Sequence, residues 1–251
     1  MNNFKVPILV CLSLFYIYSC TDRHQSKSKE VSSNKISQSI QLSETDSLEI
    51  GYFDDCLTCR KLDPISSSYE EFSAVSDRLN AFEENSHSED TFRLTFSNGK
   101  IVNIPLEKKT QSIGYKYEGF LPRSKCYVLS ENSVVEHLNF NKLLLLNKQH
   151  LSRYYIVSVY SDEMVQGIVE SPSGKFIAYY ENEGESEIAS HLRIIELNES
   201  GDKTDFLKEY AFLDSDDFLI RKIKWLDSTV LGVLVYHESN GISYYKIPLD
   251  K

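Results

Sequence analysis

No apolar stretch in the 251 residues reaches the roughly 20 needed to cross a bilayer as a helix; the longest, residues 6–18, has 13. No basic surplus is present either. Lys and Arg number 27 against 37 Asp and Glu, for a formal net charge of −10. Nucleic-acid binding is therefore not expected, because that affinity rests on neutralising phosphates with Lys and Arg. G-x-S-x-G, Walker and H-E-x-x-H signatures are all missing, so no enzymatic activity is assigned from motifs. The six histidines (His24, His87, His137, His150, His191, His237) show no metal-ligand spacing. Glu136-His137 and His237-Glu238 are neighbours in sequence, but adjacent residues on a strand point to opposite faces and make no ready dyad. A zinc site would need a second C-x-x-C or an H-x3-H, and neither occurs. No cofactor is expected.

What is present can fold. Hydrophobic residues make up 41% of the chain and aromatics 12%, enough to build a core. The charge is unevenly placed. Residues 1–19 carry only Lys5, and 21–47 balance four basic against four acidic side chains. The whole acidic excess lies in 48–251, which points to a protein partner with a basic surface.

The N-terminus reads as an address. Residues 6–18 fit the hydrophobic core of a signal peptide. They end in Ile17-Tyr18-Ser19-Cys20, which resembles the bacterial lipobox, with Ile17 at the aliphatic position and Ser19 at the small one. The resemblance implies that 1–19 are removed, that Cys20 is lipidated, and that the chain is held to a membrane of the bacterial cell envelope. An ordinary secretory signal is the alternative. Residues 21–47 contain eight serines and no aromatic residue. Such a segment cannot bury enough surface to offset its chain entropy and reads as a flexible tether.

Three cysteines remain beyond Cys20. Cys56-Leu57-Thr58-Cys59 forms a C-x-x-C with a superficial likeness to a thioredoxin active site. Asp54 and Asp55 precede it and disfavour a thiolate. The readings are a local disulfide between Cys56 and Cys59, two unreactive loop thiols, or a redox pair. Cys126 lies in an apolar run and reads as a buried small hydrophobe. Asp214, Asp216 and Asp217 make the densest acidic cluster and a calcium candidate through oxygen ligands, although the EF-hand glycine and terminal glutamate are missing. Residues 181–187 (ENEGESE) read as an exposed acidic hairpin loop.

Ser68 and Glu71 form a capping-box pair, and Tyr69, Phe72, Val75, Leu79 and Phe82 follow at helical spacing. The segment 48–90 thus reads as a loop with the C-x-x-C and a packing helix. From residue 91 the period changes to two. Phe92, Leu94 and Phe96 lead into Asn98-Gly99, a strong hairpin signal, and then Ile101, Val102 and Ile104. Further strands are expected at 126–129, 142–146, 154–159, 176–180, 192–197, 206–212, 220–225, 230–236 and 243–247. Residues 91–251 therefore form an antiparallel all-β domain. In Tyr154-Tyr155, Tyr179-Tyr180 and Tyr244-Tyr245 one ring should face in and one out, the outward ones offering a recognition surface.

Ser171-Pro172-Ser173-Gly174-Lys175, followed by an apolar strand and a second one ending at Leu197, resembles a TolB-type β-propeller repeat. Ser173 stands where that family usually has Asp. Looser copies begin near Pro122 and Leu226, steps of 50 and 54 residues. The resemblance implies about three or four blade-like units: either a minimal four-blade ring completed by the 91–104 hairpin, or an open β-sheet stack with the N-terminal amphipathic helix at one edge. The open stack is the expectation. The order of these segments also resembles exported proteins of Bacteroidetes-type bacteria. The expected function is a binding or scaffold module, with thiol–disulfide exchange as the alternative.

Overall fold

A computed structural model describes residues 47–76, 91–105, 113–135, 138–158, 165–183, 188–199 and 202–250. Among these residues sixteen strands occur: β1 (Ser47–Ile50), β2 (Arg60–Lys61), β3 (Ile65–Ser66), β4 (Thr91–Thr95), β5 (Ile101–Pro105), β6 (Ile113–Leu121), β7 (Cys126–Val135), β8 (Leu138–Asn147), β9 (Arg153–Ile156), β10 (Gln166–Glu170), β11 (Phe176–Asn182), β12 (Ser190–Leu197), β13 (Leu207–Ser215), β14 (Leu219–Trp225), β15 (Val230–His237) and β16 (Gly241–Pro248). One short helix, α1 (Tyr69–Ser73), accompanies them.

The strands form three sheets and a hairpin. Sheet A has the order β1-β9-β8-β7-β6, sheet B β10-β11-β12-β13-β2, and sheet C β14-β15-β16-β3, while β4 and β5 pair alone. Each sheet is an antiparallel meander of consecutive strands with one strand from residues 47–66 added at its edge. The turns holding Pro122, Pro172 and Leu226 all lie between the first and second strands of successive meanders. In the middle one, Gly174 takes φ +75° and Ser173 Oγ accepts the Lys175 amide at 3.3 Å. The serine thus makes the local turn bond of the absent aspartate.

The sheets stack face to face. Leu143 and Leu145 of β8 pack in one core with Ile177 and Tyr179 of sheet B. Leu144 and Leu146, on the opposite face, pack against Leu94, Phe96, Val102 and Ile104 of the hairpin. Phe176, Ala178 and Tyr180 of β11 meet Trp225, Leu231 and Val233 of sheet C. The layers run hairpin, A, B, C. Sheets A and B are covered on both faces, which is why their strands read as continuous apolar runs. The fold is an all-β open stack; among the described residues no ring closes, and the 91–104 hairpin caps sheet A instead of completing a four-blade circle.

The same layering corrects the tyrosine expectation. Tyr154 and Tyr155 belong to cores on opposite faces of sheet A, and Tyr179 and Tyr180 to cores on opposite faces of sheet B. An alternating pair offers an outward ring only when one face of the sheet meets water.

The helix starts as its capping signal requires, with Ser68 Oγ accepting the Glu71 amide at 3.2 Å. The Glu71 carboxylate does not return to the Ser68 amide. It accepts from Lys246 Nζ at 2.7 Å and Ser67 Oγ at 2.9 Å. Phe72 lies under the Lys224 ammonium, 4.3 Å from its ring centre, and 5.5 Å from the Tyr244 ring. The helix therefore covers the outer face of sheet C rather than an edge of the stack. Leu79 and Phe82 of the expected stripe lie outside the described residues, as do Cys20, the tether up to residue 46, and Glu136-His137.

Candidate functional site

The segment 47–66 is the unexpected part of the fold. Instead of a loop ahead of the β domain, it is a strap that supplies an edge strand to every sheet. β1 pairs parallel with β9, β2 parallel with β13, and β3 antiparallel with β16. Two-residue strands such as β2 and β3 carry no period of their own, so only their partners define them.

Side chains pin the strap at intervals. Ile50, Phe53 and Leu62 are buried. The Arg60 guanidinium donates to the Leu249 carbonyl at 2.8 Å and lies over the Tyr210 ring. Between β1 and β2 a short 3-10 turn, Phe53–Asp55, leads into the C-x-x-C. Cys56 and Cys59 are joined in a disulfide with their Cα atoms 5.3 Å apart. Leu57, inside that closed loop, is wholly exposed (101%).

Beneath Phe53 lies a polar cluster that no local motif reveals. Arg193 of β12 is 2% exposed, with its guanidinium 5.3 Å from the Phe53 ring centre and 5.6 Å from that of Phe212. Its Nη1 donates to Asp214 Oδ1 at 2.5 Å, and His191 Nδ1 lies 2.6 Å from the same oxygen. Burial acts to raise the Asp214 pKa, but the hydrogen bonds and charge of His191 and Arg193 outweigh it and hold the carboxyl below its ordinary range. Tyr179 stands directly opposite Arg193 in the β11–β12 register. Its hydroxyl is fully buried, and neither it nor Arg193 Nε has a hydrogen-bond partner among the described residues. Burial, followed by the nearby Glu181 charge, pushes the Tyr179 pKa well above its usual value.

Several sequence expectations change here. Glu181 is no exposed loop residue: it is the penultimate residue of β11, 0% exposed, and accepts from Ser158 Oγ at 2.7 Å. The calcium candidates separate. Asp214 turns onto Arg193 and His191, while Asp216 and Asp217 sit in the β13–β14 turn, where the Asp217 amide donates to Ser215 Oγ. Among the described residues no group of three His, Cys, Asp or Glu side chains could hold a metal ion. His191 and Asp214 do form a pair, but 23 positions separate them and only strand register brings them together. Cys126 is free and buried on β7, and burial pushes its thiol up to about 12.

The disulfide has little of the chemistry of a redox centre. A reactive C-x-x-C places its first cysteine at a helix N-terminus, where the dipole steadies a thiolate. Here Cys56 follows the C-terminal end of the 3-10 turn, with its amide bonded back to the Phe53 carbonyl and Asp54 and Asp55 just before it. Compared with known proteins, the chain matches no family model, no curated protein and no solved structure.

Proposed function

We propose that the chain is a lipid-anchored, extracytoplasmic β protein of the bacterial cell envelope that acts as a binding or scaffold module. The observation that carries this reading is the strap. The Ser-rich tether leads directly into β1, and the same segment then joins two further sheets. A restraint applied at Ser47 is therefore shared by the edge hydrogen bonds of three sheets, which suits a domain held on a leash. A tether of about 27 flexible residues has an r.m.s. reach of roughly 25–30 Å. The acidic surplus in 48–251 favours a partner protein with a basic surface and disfavours nucleic acid.

Mass analysis of the mature protein tests the anchor. Acyl chains on Cys20, and release from membranes by Cys20→Ala, are the expected results; a chain that keeps Met1 would sink the idea. A pull-down from the native envelope, with the mature protein as bait, tests the binding role.

The formed Cys56–Cys59 disulfide is the observation that favours a second reading, thiol–disulfide exchange. In that reaction a dithiol substrate would be oxidised to a disulfide while Cys56 and Cys59 become thiols. The acidic neighbours and the helix-end polarity weigh against it. Turnover of a dithiol peptide that disappears in Cys59→Ser would establish it.

A further inference from the structure

Single exposed apolar side chains are ordinary on protein surfaces. Leu57 differs in how it is held. The disulfide closes a four-residue loop around it, with the Cys59 amide bonded to the Cys56 carbonyl at 3.2 Å. On one side Phe53 is buried against Phe212, and the Gly51 amide donates to Glu209. On the other side β2 is fixed to β13, and Leu62 is buried. The loop thus bridges sheets A and B from two fixed ends, and no described residue covers the Leu57 side chain.

The surroundings are acidic. Glu49, Asp54, Asp55 and Asp63 are exposed along the strap, against exposed Lys61. The other nearby cation, Arg60, is turned onto Leu249 and Tyr210. Tyr52, half exposed, ties its hydroxyl to Glu49. An exposed apolar tip flanked along the chain by exposed carboxylates is complementary to an apolar socket rimmed by Lys or Arg. It is poorly suited to an anionic membrane surface, where the same carboxylates would meet like charge. Fixing the loop in advance lowers the ordering cost of docking.

We propose that the disulfide-closed loop 56–59 is a docking knob, with Leu57 entering an apolar socket on a partner protein whose basic side chains face Asp54 and Asp55. The proposal rests on the binding-module reading and names its surface.

The test places the photo-crosslinking residue p-benzoylphenylalanine at Leu57, or at the distant exposed Ile242, of the full-length chain in its native envelope. The expected result is a protein adduct from position 57. Its yield should fall at least tenfold with Asp54→Lys/Asp55→Lys and several-fold with Cys56→Ser/Cys59→Ser, while the circular dichroism spectrum stays unchanged. A position-57 adduct insensitive to the charge reversal overturns the proposal, as do adducts to lipid alone. Protein adducts from Ile242 but not from 57 overturn the knob and leave the module reading standing. No protein adduct from either position, together with an empty envelope pull-down, overturns both.

Discussion

The Gly51 amide donates to Glu209 Oε1 at 2.7 Å, joining positions 158 apart in the chain. The bond ties the strap to β13, and it needs glycine. Gly51 has φ +120°, and a Cβ there would lie 2.8 Å from the Val157 carbonyl oxygen and 3.2 Å from Tyr179 Oη.

Gly51→Ala should therefore cost more than backbone strain alone. Gly99, at φ +79° with nothing near its absent Cβ, is the reference. Gly99→Ala should lose about 1–2 kcal/mol from the left-handed backbone. Gly51→Ala should lose about 1–3 kcal/mol more from overpacking. Urea midpoints at constant slope measure both; equal losses would show that the strap shifts freely at this point.

Arg193 holds Asp214 and lies against two rings that meet edge-on, so neither role survives substitution. Arg193→Met should destabilise by about 1–3 kcal/mol, because the half-buried Asp214 carboxylate loses its cationic partner. Arg193→Lys should recover little, since a compact ammonium cannot reproduce the planar group's contacts with both Phe53 and Phe212 together with its bond to Asp214. Thermal unfolding of the two variants checks this, and full recovery by lysine would contradict a role for the planar guanidinium.

His150 should make the fold sensitive to mild acid. Both ring nitrogens are buried without a hydrogen-bond partner among the described residues, and the ring packs edge-on against Tyr154 and Phe206. Burial, then the Lys203 charge, lowers its pKa below 6.5. The unfolded chain therefore takes up the proton first as pH falls. The stability this group contributes is complete above about 6.5 and is lost as pH drops through the lower folded value. Asp214, also depressed, keeps its contribution above the ordinary carboxyl range and loses it only as pH falls from there through its lower folded value. Denaturation midpoints between pH 7.5 and 5 should decline in the native protein and decline less in His150→Phe.

The thiols should divide sharply in reactivity. Cys126, buried with its thiol pushed up to about 12, should resist alkylation in the folded protein and react only on unfolding. Cys56→Ser/Cys59→Ser should cost about 2 kcal/mol, the chain-entropy value for so short a loop. Alkylation of Cys126 at the rate of an exposed thiol would place it elsewhere than the A–B core.

Much of the strand order is legible locally. Runs such as Leu143-Leu144-Leu145-Leu146 and Phe176-Ile177-Ala178 name buried strands, because both faces of those sheets are covered. The Asn98-Gly99 turn fixes its hairpin, with Gly99 at φ +79° and Asn98 Oδ1 accepting the Lys100 amide. β6 and β10 escaped notice because Lys116 and Glu118 interrupt one and Gly167 the other. The strap escaped because its strands are too short to show a period. The knob is half legible: the C-x-x-C and its acidic neighbours stand in the sequence, but the exposure of Leu57 does not.

By itself, the sequence determines the location of the acidic excess, the hairpin and the helix cap. Each depends on composition or on contacts a few residues apart. Only the tertiary structure decides that the sheets stack openly, that residues 47–66 complete all three, and that Arg193, Asp214, His191 and Tyr179 come together on sheet B. Those outcomes depend on strand register and sheet facing, which pair residues tens to more than a hundred positions apart and leave no local trace in the chain.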